Sequence, residues 1–105
     1  MNIDHVGYLV EDMEQAVNEF LGMGYEIDFP KYEDAFFNQT VVFMKNTPLR
    51  IELISPNSET ATVTSLLKKR GAGPYHICYR TDSFDEDFLN LRKRRFMPTM
   101  PPTIA

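Results

Sequence analysis

The amino-acid sequence predicts an α+β fold, and two observations carry that prediction. Stretches rich in β-branched and aromatic residues alternate with stretches of 3.6-residue apolar periodicity. Sliding the chain against itself by 71 residues then lays one strand–helix–strand pattern on another. His5 falls on His76, Val6 on Ile77, Tyr8 on Tyr79 and Glu11 on Asp82. Met13 falls on Phe84, Val17 on Phe88, Phe20 on Leu91 and Tyr25 on Phe96. Identity is low, but the order of apolar, aromatic and acidic positions recurs, so the chain reads as two copies of one unit.

The elements follow in order. Ile3 to Val10 reads as a strand. Asp12, with Gln15 three residues on, is a capping-box-like helix start. Met13, Ala16, Val17, Phe20 and Leu21 then form the apolar stripe of an amphipathic helix, which Gly22 and Gly24 stop. Tyr25 to Phe29 is a second strand ended by Pro30, and Lys31 to Phe37 a loop or an irregular strand start. Gln39 to Met44 is a third strand, followed by a turn at Lys45 to Pro48. Leu49 to Ile54 is a fourth, with Leu49, Ile51 and Leu53 on one face and Arg50, Glu52 and Ile54 on the other. Ser55 to Ser58 is a linker, Thr60 to Arg70 a short helix, and Gly71 to Pro74 a turn. Tyr75 to Arg80 is a further strand. Ser83 to Arg95 is a helix with acids at its start and Arg92 to Arg95 at its end, a charge order that complements the helix dipole. Met97 to Ala105 is Pro-rich and expected to be extended or poorly ordered, with Met97 and Met100 as packing residues.

Bulk properties narrow the function classes. A chain of 105 residues holds one domain with a modest core. No apolar run approaches the roughly 20 residues that span a bilayer, and Met1 to His5 lacks the basic start of a signal peptide. The single cysteine, Cys78, excludes an intramolecular disulfide and fits a reducing, cytoplasmic compartment. It reads as a small buried hydrophobe. The net charge of -4 argues against nucleic-acid binding. The basic run at Arg92 to Arg95 reads as a solvated helix end.

His5, Glu52 and His76 are the candidate site. Each lies in mid-strand, the two histidines are the chain's only ones, and the repeat makes them equivalent. Imidazole nitrogens with a carboxylate oxygen suit Zn, Ni, Co, Fe or Mn as divalent ions. For one strand histidine alone, a satisfied core or surface role is the default. Glu52 faces solvent, a partner such as Arg50, or a metal.

The pattern His5-Val6-Gly7-Tyr8, then Glu11 to Ala16, then Phe20-Leu21-Gly22-Met23-Gly24, resembles the opening unit of the vicinal oxygen chelate (glyoxalase) superfamily. Ile51 to Pro56 resembles its fourth strand, and Leu66 to Tyr79 is similar to methylmalonyl-CoA epimerases and glyoxalase I-like proteins. The resemblance implies paired βαβββ modules forming a cupped mixed sheet around one divalent metal. Module one would cover about 1–54, a linker helix about 56–74 and a partial module two about 75–105 of a single domain. His5, Glu52 and His76 match three of the four family ligands. The repeat partner of Glu52 falls at position 123, beyond Ala105, so the second module is expected to be incomplete here. With that carboxylate missing, no catalytic base is assigned, and water, a partner chain or a C-terminal segment absent from this chain would complete the metal's ligands. The epimerase base on the third strand appears as Asn38, which cannot take a proton.

The implied function is a metal-dependent lyase or isomerase that moves a proton next to a carbonyl or thioester, acting on a thioester or hemithioacetal. The alternatives are a non-catalytic small-molecule binding protein of the resistance type and an inactive truncated member. Open sheet edges lead to the expectation of a homodimer.

Overall fold

The computed structural model describes residues 1–94, so the expectations for Met97 to Ala105 lie outside the described residues. Among these, five strands and three helices follow one another as β1 (Asn2–Leu9), α1 (Met13–Gly22), β2 (Glu26–Asp34), β3 (Gln39–Asn46), β4 (Leu49–Pro56), α2 (Thr62–Arg70), β5 (Gly73–Arg80) and α3 (Phe84–Lys93). The strands form one mixed open sheet in the order β2-β3-β4-β1-β5. β1 runs parallel to β4, and the other pairings are antiparallel. None of the helices described is long and apolar enough to cross a membrane.

One face of the sheet is closed by α1. The Asp12 carboxylate accepts the Gln15 N–H at 3.1 Å and caps the helix start. The Gln15 side chain turns forward to Glu19 at 3.2 Å, so only half of the capping box forms. Ala16 and Phe20 drive into Val42, Met44, Ile51 and Leu53. Phe20 also meets Tyr8 and Tyr25 edge-on, at 5.2 and 5.0 Å between ring centres. Burying such a ring contributes roughly 1.5–3 kcal/mol. Leu21, counted in the apolar stripe, is exposed. Gly22 belongs to the helix, and Gly24, at φ +95°, makes the turn out of it.

On the opposite face α2 covers one end only. Leu9, Val41 and Ile54 pack there with Ala61 and Val63, while Leu66, Leu67 and Tyr75 close the edge of the cluster. The rest of this face stays open between β2 and β5, and it holds the candidate residues. α3, by contrast, buries none of its side chains.

β2 passes through Pro30 instead of ending there. It is an edge strand of the sheet, where a missing N–H costs no ladder bond. Its register against β3 slips between Phe29 and Tyr32, a bulge that absorbs the proline. β4 likewise runs on to Pro56 through half of the expected linker, because Ser55 and Pro56 still pair with Thr40 and Gln39.

Candidate metal centre

Three neighbouring strands bring the predicted trio together. β4 carries Glu52, β1 carries His5 and β5 carries His76, and these strands are adjacent in the sheet. His5 Nε2 lies 3.1 Å from Glu52 Oε1, and His76 Nε2 lies 3.5 Å from the same oxygen. His5 is buried, and the Glu52 side chain is only 14 % exposed. Glu52 therefore faces the two imidazoles and departs from the solvent-facing default. One donor atom from each residue falls in a set within 4.8 Å. An ion holding N and O ligands at roughly 2.0–2.2 Å spaces opposite ligands by about 4–4.4 Å. Small side-chain rotations thus suffice for the trio to close on one divalent cation, and the donor set of two imidazoles and a carboxylate fits it chemically.

His5 is held on every side. Its Nδ1–H donates to Asp4 Oδ2 at 2.8 Å, and Phe43 presents its ring at 5.1 Å in an edge contact. Asp4 reaches this face because the β1–β5 register slips between Ile3 and His5. Such a bulge lets two successive side chains turn to the same side. Arg50 fixes Asp4 in turn: its Nη1 donates to Asp4 Oδ2 at 2.9 Å and its Nε to Asp28 Oδ2 at 2.7 Å, with the guanidinium over the Phe43 ring.

The electrostatics follow from this geometry. Burial pushes the Glu52 carboxyl up, but the hydrogen bonds and charges of His5 and His76 overcome it and hold the group at about 2. Burial pulls the His5 imidazole down, yet its bonds to Glu52 and Asp4 win and raise it. The bond to His5 holds Asp4 below the usual carboxylate range, with Arg50 assisting against desolvation.

A cavity of about 530 Å³ opens over the trio and is walled further by Gln39, Asp34, Tyr75 and Cys78. Cys78 corrects the expectation of a buried hydrophobe: it is half-buried on the cavity wall and paired across the sheet with His5. Burial and the charges of Asp4 and Glu52 raise its thiol, so it stays protonated and is a poor nucleophile. Burial and then the Glu52 charge push the Tyr75 hydroxyl well up. Tyr79 is exposed. On β3, Gln39 lines the cavity, whereas Asn38, at φ +54°, turns its amide to Ser58.

Sequence reasoning did not single out Asp4, Asp34 or Gln39. Asp4 could have been noticed beside His5. Asp34 and Gln39 meet only through the β2–β3 pairing.

The family model for the Glyoxalase/Bleomycin resistance protein/Dioxygenase superfamily matches residues 4–104. The chain belongs to this superfamily. An ethylmalonyl-CoA/methylmalonyl-CoA epimerase of Cereibacter sphaeroides is 32% identical over 94 residues, which cover 88% of this chain and 66% of that protein. The chain thus spans just under two thirds of that relative. A variant of Streptomyces coelicolor methylmalonyl-CoA epimerase in complex with 2-nitronate-propionyl-CoA superposes with a TM-score of 0.86 at 22% identity, over 100% of this chain and 80% of that one. Methylmalonyl-CoA epimerase from Mycobacterium tuberculosis superposes at 0.80 and 22% identity, over 90% of this chain and 64% of that one. At these identities the structural likeness is one of fold: the α+β mixed sheet of the superfamily.

Proposed function

We propose that this chain is a divalent-metal-dependent isomerase of the epimerase type, moving a proton on the carbon beside an acyl-CoA thioester carbonyl. The observation that carries this reading is the convergence of His5, Glu52 and His76 on the wall of one cavity, in a chain similar to a CoA-ester epimerase. His5, Glu52 and His76 would hold the ion, with Nδ1–H of His5 tied to Asp4 so that Nε2, beside Glu52, is the nitrogen turned to the ion. When bound, the metal supplies Lewis-acid polarisation of the carbonyl, which acidifies the neighbouring C–H.

The proton then needs an acceptor. Asn38 and Gln39 are amides and cannot serve. Glu33 Oε2 accepts from Thr40 Oγ1 at 3.2 Å and Asn57 Nδ2 at 2.5 Å. Asp34 lines the same cavity, on the strand face it shares with Tyr32. Its Oδ1 accepts the N–H groups of Phe36 and Phe37, while Oδ2 accepts one bond, from Gln39 Nε2 at 3.2 Å. We assign the proton to Asp34 Oδ2; the carbanion that remains would regain a proton on its opposite face from water reaching the cavity, which completes the epimerisation. Tyr75 and Ile54 would keep bulk water from the thioester side of the cavity.

The test is elemental analysis of protein purified without chelator, with deuterium uptake at the α-carbon of methylmalonyl-CoA in D₂O followed by NMR. One metal per chain with deuterium uptake is expected in the wild type. His5→Ala and His76→Ala should lose both, and Asp34→Asn should keep the metal and lose the uptake. No metal and no uptake in the wild type would overturn the reading. Metal with ligand binding but no uptake would favour the second reading, a binding protein without chemistry, which the amides at Asn38 and Gln39 support. We further propose a homodimer; a monomer by light scattering would refute that.

A further inference from the structure

Gly7 takes no part in the reading above, yet it lies at the centre of the site. Strand pairing puts Glu52 opposite Gly7 on one side and His76 opposite Gly7 on the other, so the three form one row across β4, β1 and β5. Adjacent strands are about 4.8 Å apart, so the backbones that carry Glu52 and His76 are separated by roughly twice that distance. Nevertheless His76 Nε2 comes within 3.5 Å of Glu52 Oε1. The imidazole achieves this by lying flat across β1. A Cβ on Gly7 would sit 2.3 Å from His76 Cε1, 2.5 Å from Nδ1 and 2.6 Å from Nε2. Real contacts of that kind do not occur, so the ring occupies the space that any side chain at this position would fill.

The β1–β5 register slips between Gly7 and Tyr8, but the glycine's own backbone angles do not require a glycine. Gly7 is not among the residues with positive φ, and any L residue can adopt its strand conformation. A glycine in a strand interior also weakens the strand, and it commonly marks a close approach. Here the approaching group is the His76 ring.

We propose that Gly7 is a positioning residue: its absent side chain is what lets His76 cross β1 and join Glu52 and His5. This deepens the metal-site reading and rests on it. The ring is the end of a rotatable side chain and is partly exposed, so a methyl group at Gly7 displaces it outward without breaking the sheet.

The test uses Co²⁺ as a probe, followed by its visible spectrum and by competition titration. Gly7→Ala should weaken Co²⁺ binding by about 10–100-fold, the range typical for loss of a group that orients a ligand, and should alter the spectrum. In the His76→Ala background, where no Co²⁺ is held, the same change should not lower folding stability. Equal affinity and an unchanged spectrum in Gly7→Ala would overturn the proposal. If Gly7→Ala fails to fold, the Gly7→Ala/His76→Ala double variant decides. Folding comparable to His76→Ala alone supports the clash, and failure of both overturns it. A separate measurement needs no metal. Metal-free wild type should give an NMR cross-relaxation contact between His76 Hε1 and the Gly7 Hα protons. If wild type binds no Co²⁺ but shows this contact, the metal reading falls and the positioning role stands; lack of the contact overturns it.

Discussion

Glu52→Gln in metal-free protein tests the electrostatics of the centre most directly. The substitution keeps the shape of the side chain and removes its charge. In the folded chain the carboxyl falls from 4.5 to about 2, because the hydrogen bonds and charges of His5 and His76 outweigh the burial that opposes them. At about 1.36 kcal/mol per pH unit, that drop sets a ceiling of roughly 3 kcal/mol on what the charged form contributes. The rise of His5 expresses part of the same interaction from the other side and is not added again. The signs differ between the partners. Glu52 is depressed, so its contribution is present above the ordinary 4.5 and is lost as pH falls toward about 2. His5 is raised, so its contribution is present below the ordinary 6.5 and is lost as pH rises through its higher folded value. The stability difference between wild type and Glu52→Gln should therefore peak between about pH 4.5 and 6.5 and shrink on either side. Urea unfolding followed by circular dichroism across pH 3 to 9, with chelator present, measures it. A difference that stays flat across this range, or one that grows above pH 8, would refute the reasoning.

The other predictions concern the surroundings of the centre. Asp4→Asn should weaken metal binding by about 10–100-fold by removing the carboxylate that orients His5, and it should also lower stability modestly, because the depressed Asp4 carboxylate is lost while Arg50 keeps its bond to Asp28; competition titration beside urea unfolding checks both halves. Metal affinity should rise with pH through the His5 titration, because Nε2 must lose its proton to bind an ion, and titration calorimetry in buffers of different ionisation enthalpy should detect proton release. Leu53→Ala, at a fully buried position between α1 and the sheet, should cost about 2–5 kcal/mol in a denaturant titration. Asp12→Ala should cost about 1 kcal/mol by uncapping α1, visible as a lower midpoint with an unchanged slope.

What could be read in the sequence was what depends on local periodicity. The β-branched run of β1, the helical stripe of α1 and the alternation of Leu49 to Ile54 all reappear in the structure with small shifts at their ends. β2 beyond Pro30 was not legible, since proline ends a strand unless that strand is an edge, and edge status is a property of the whole sheet. The same divide runs through the site. Alternation placed Glu52 on the face shared with Arg50 and Ile54, as the structure has it, but could not say that this face looks onto two imidazoles. Asp4 alternates with His5 in an ideal strand and belongs on the opposite face; only the bulge in β1 brings it round. Asp34 and Gln39 are five residues apart in the chain, and their bond exists because the strands on either side of a short loop fold back in that register.

These departures from ideal strand geometry share one consequence. The three strands that carry His5, Glu52 and His76 are bonded side by side, and each side chain's aim depends on a neighbour's register: His76 on Gly7, His5 on the slip at Asp4, Glu52 on the parallel pairing of Gly7 with β4. A one-residue slip in a strand sends its side chains to the opposite face. The trio therefore exists only while the β4-β1-β5 ladder is in register, and an unfolded chain, with donors 47 and 24 residues apart, has no preformed site. An ion held by His5, Glu52 and His76 would bind the folded chain in preference to the unfolded one, and its binding free energy would add to folding stability as RT ln(1 + [M]/Kd). The ladder that aims these side chains would then also be the structure that a bound ion holds together.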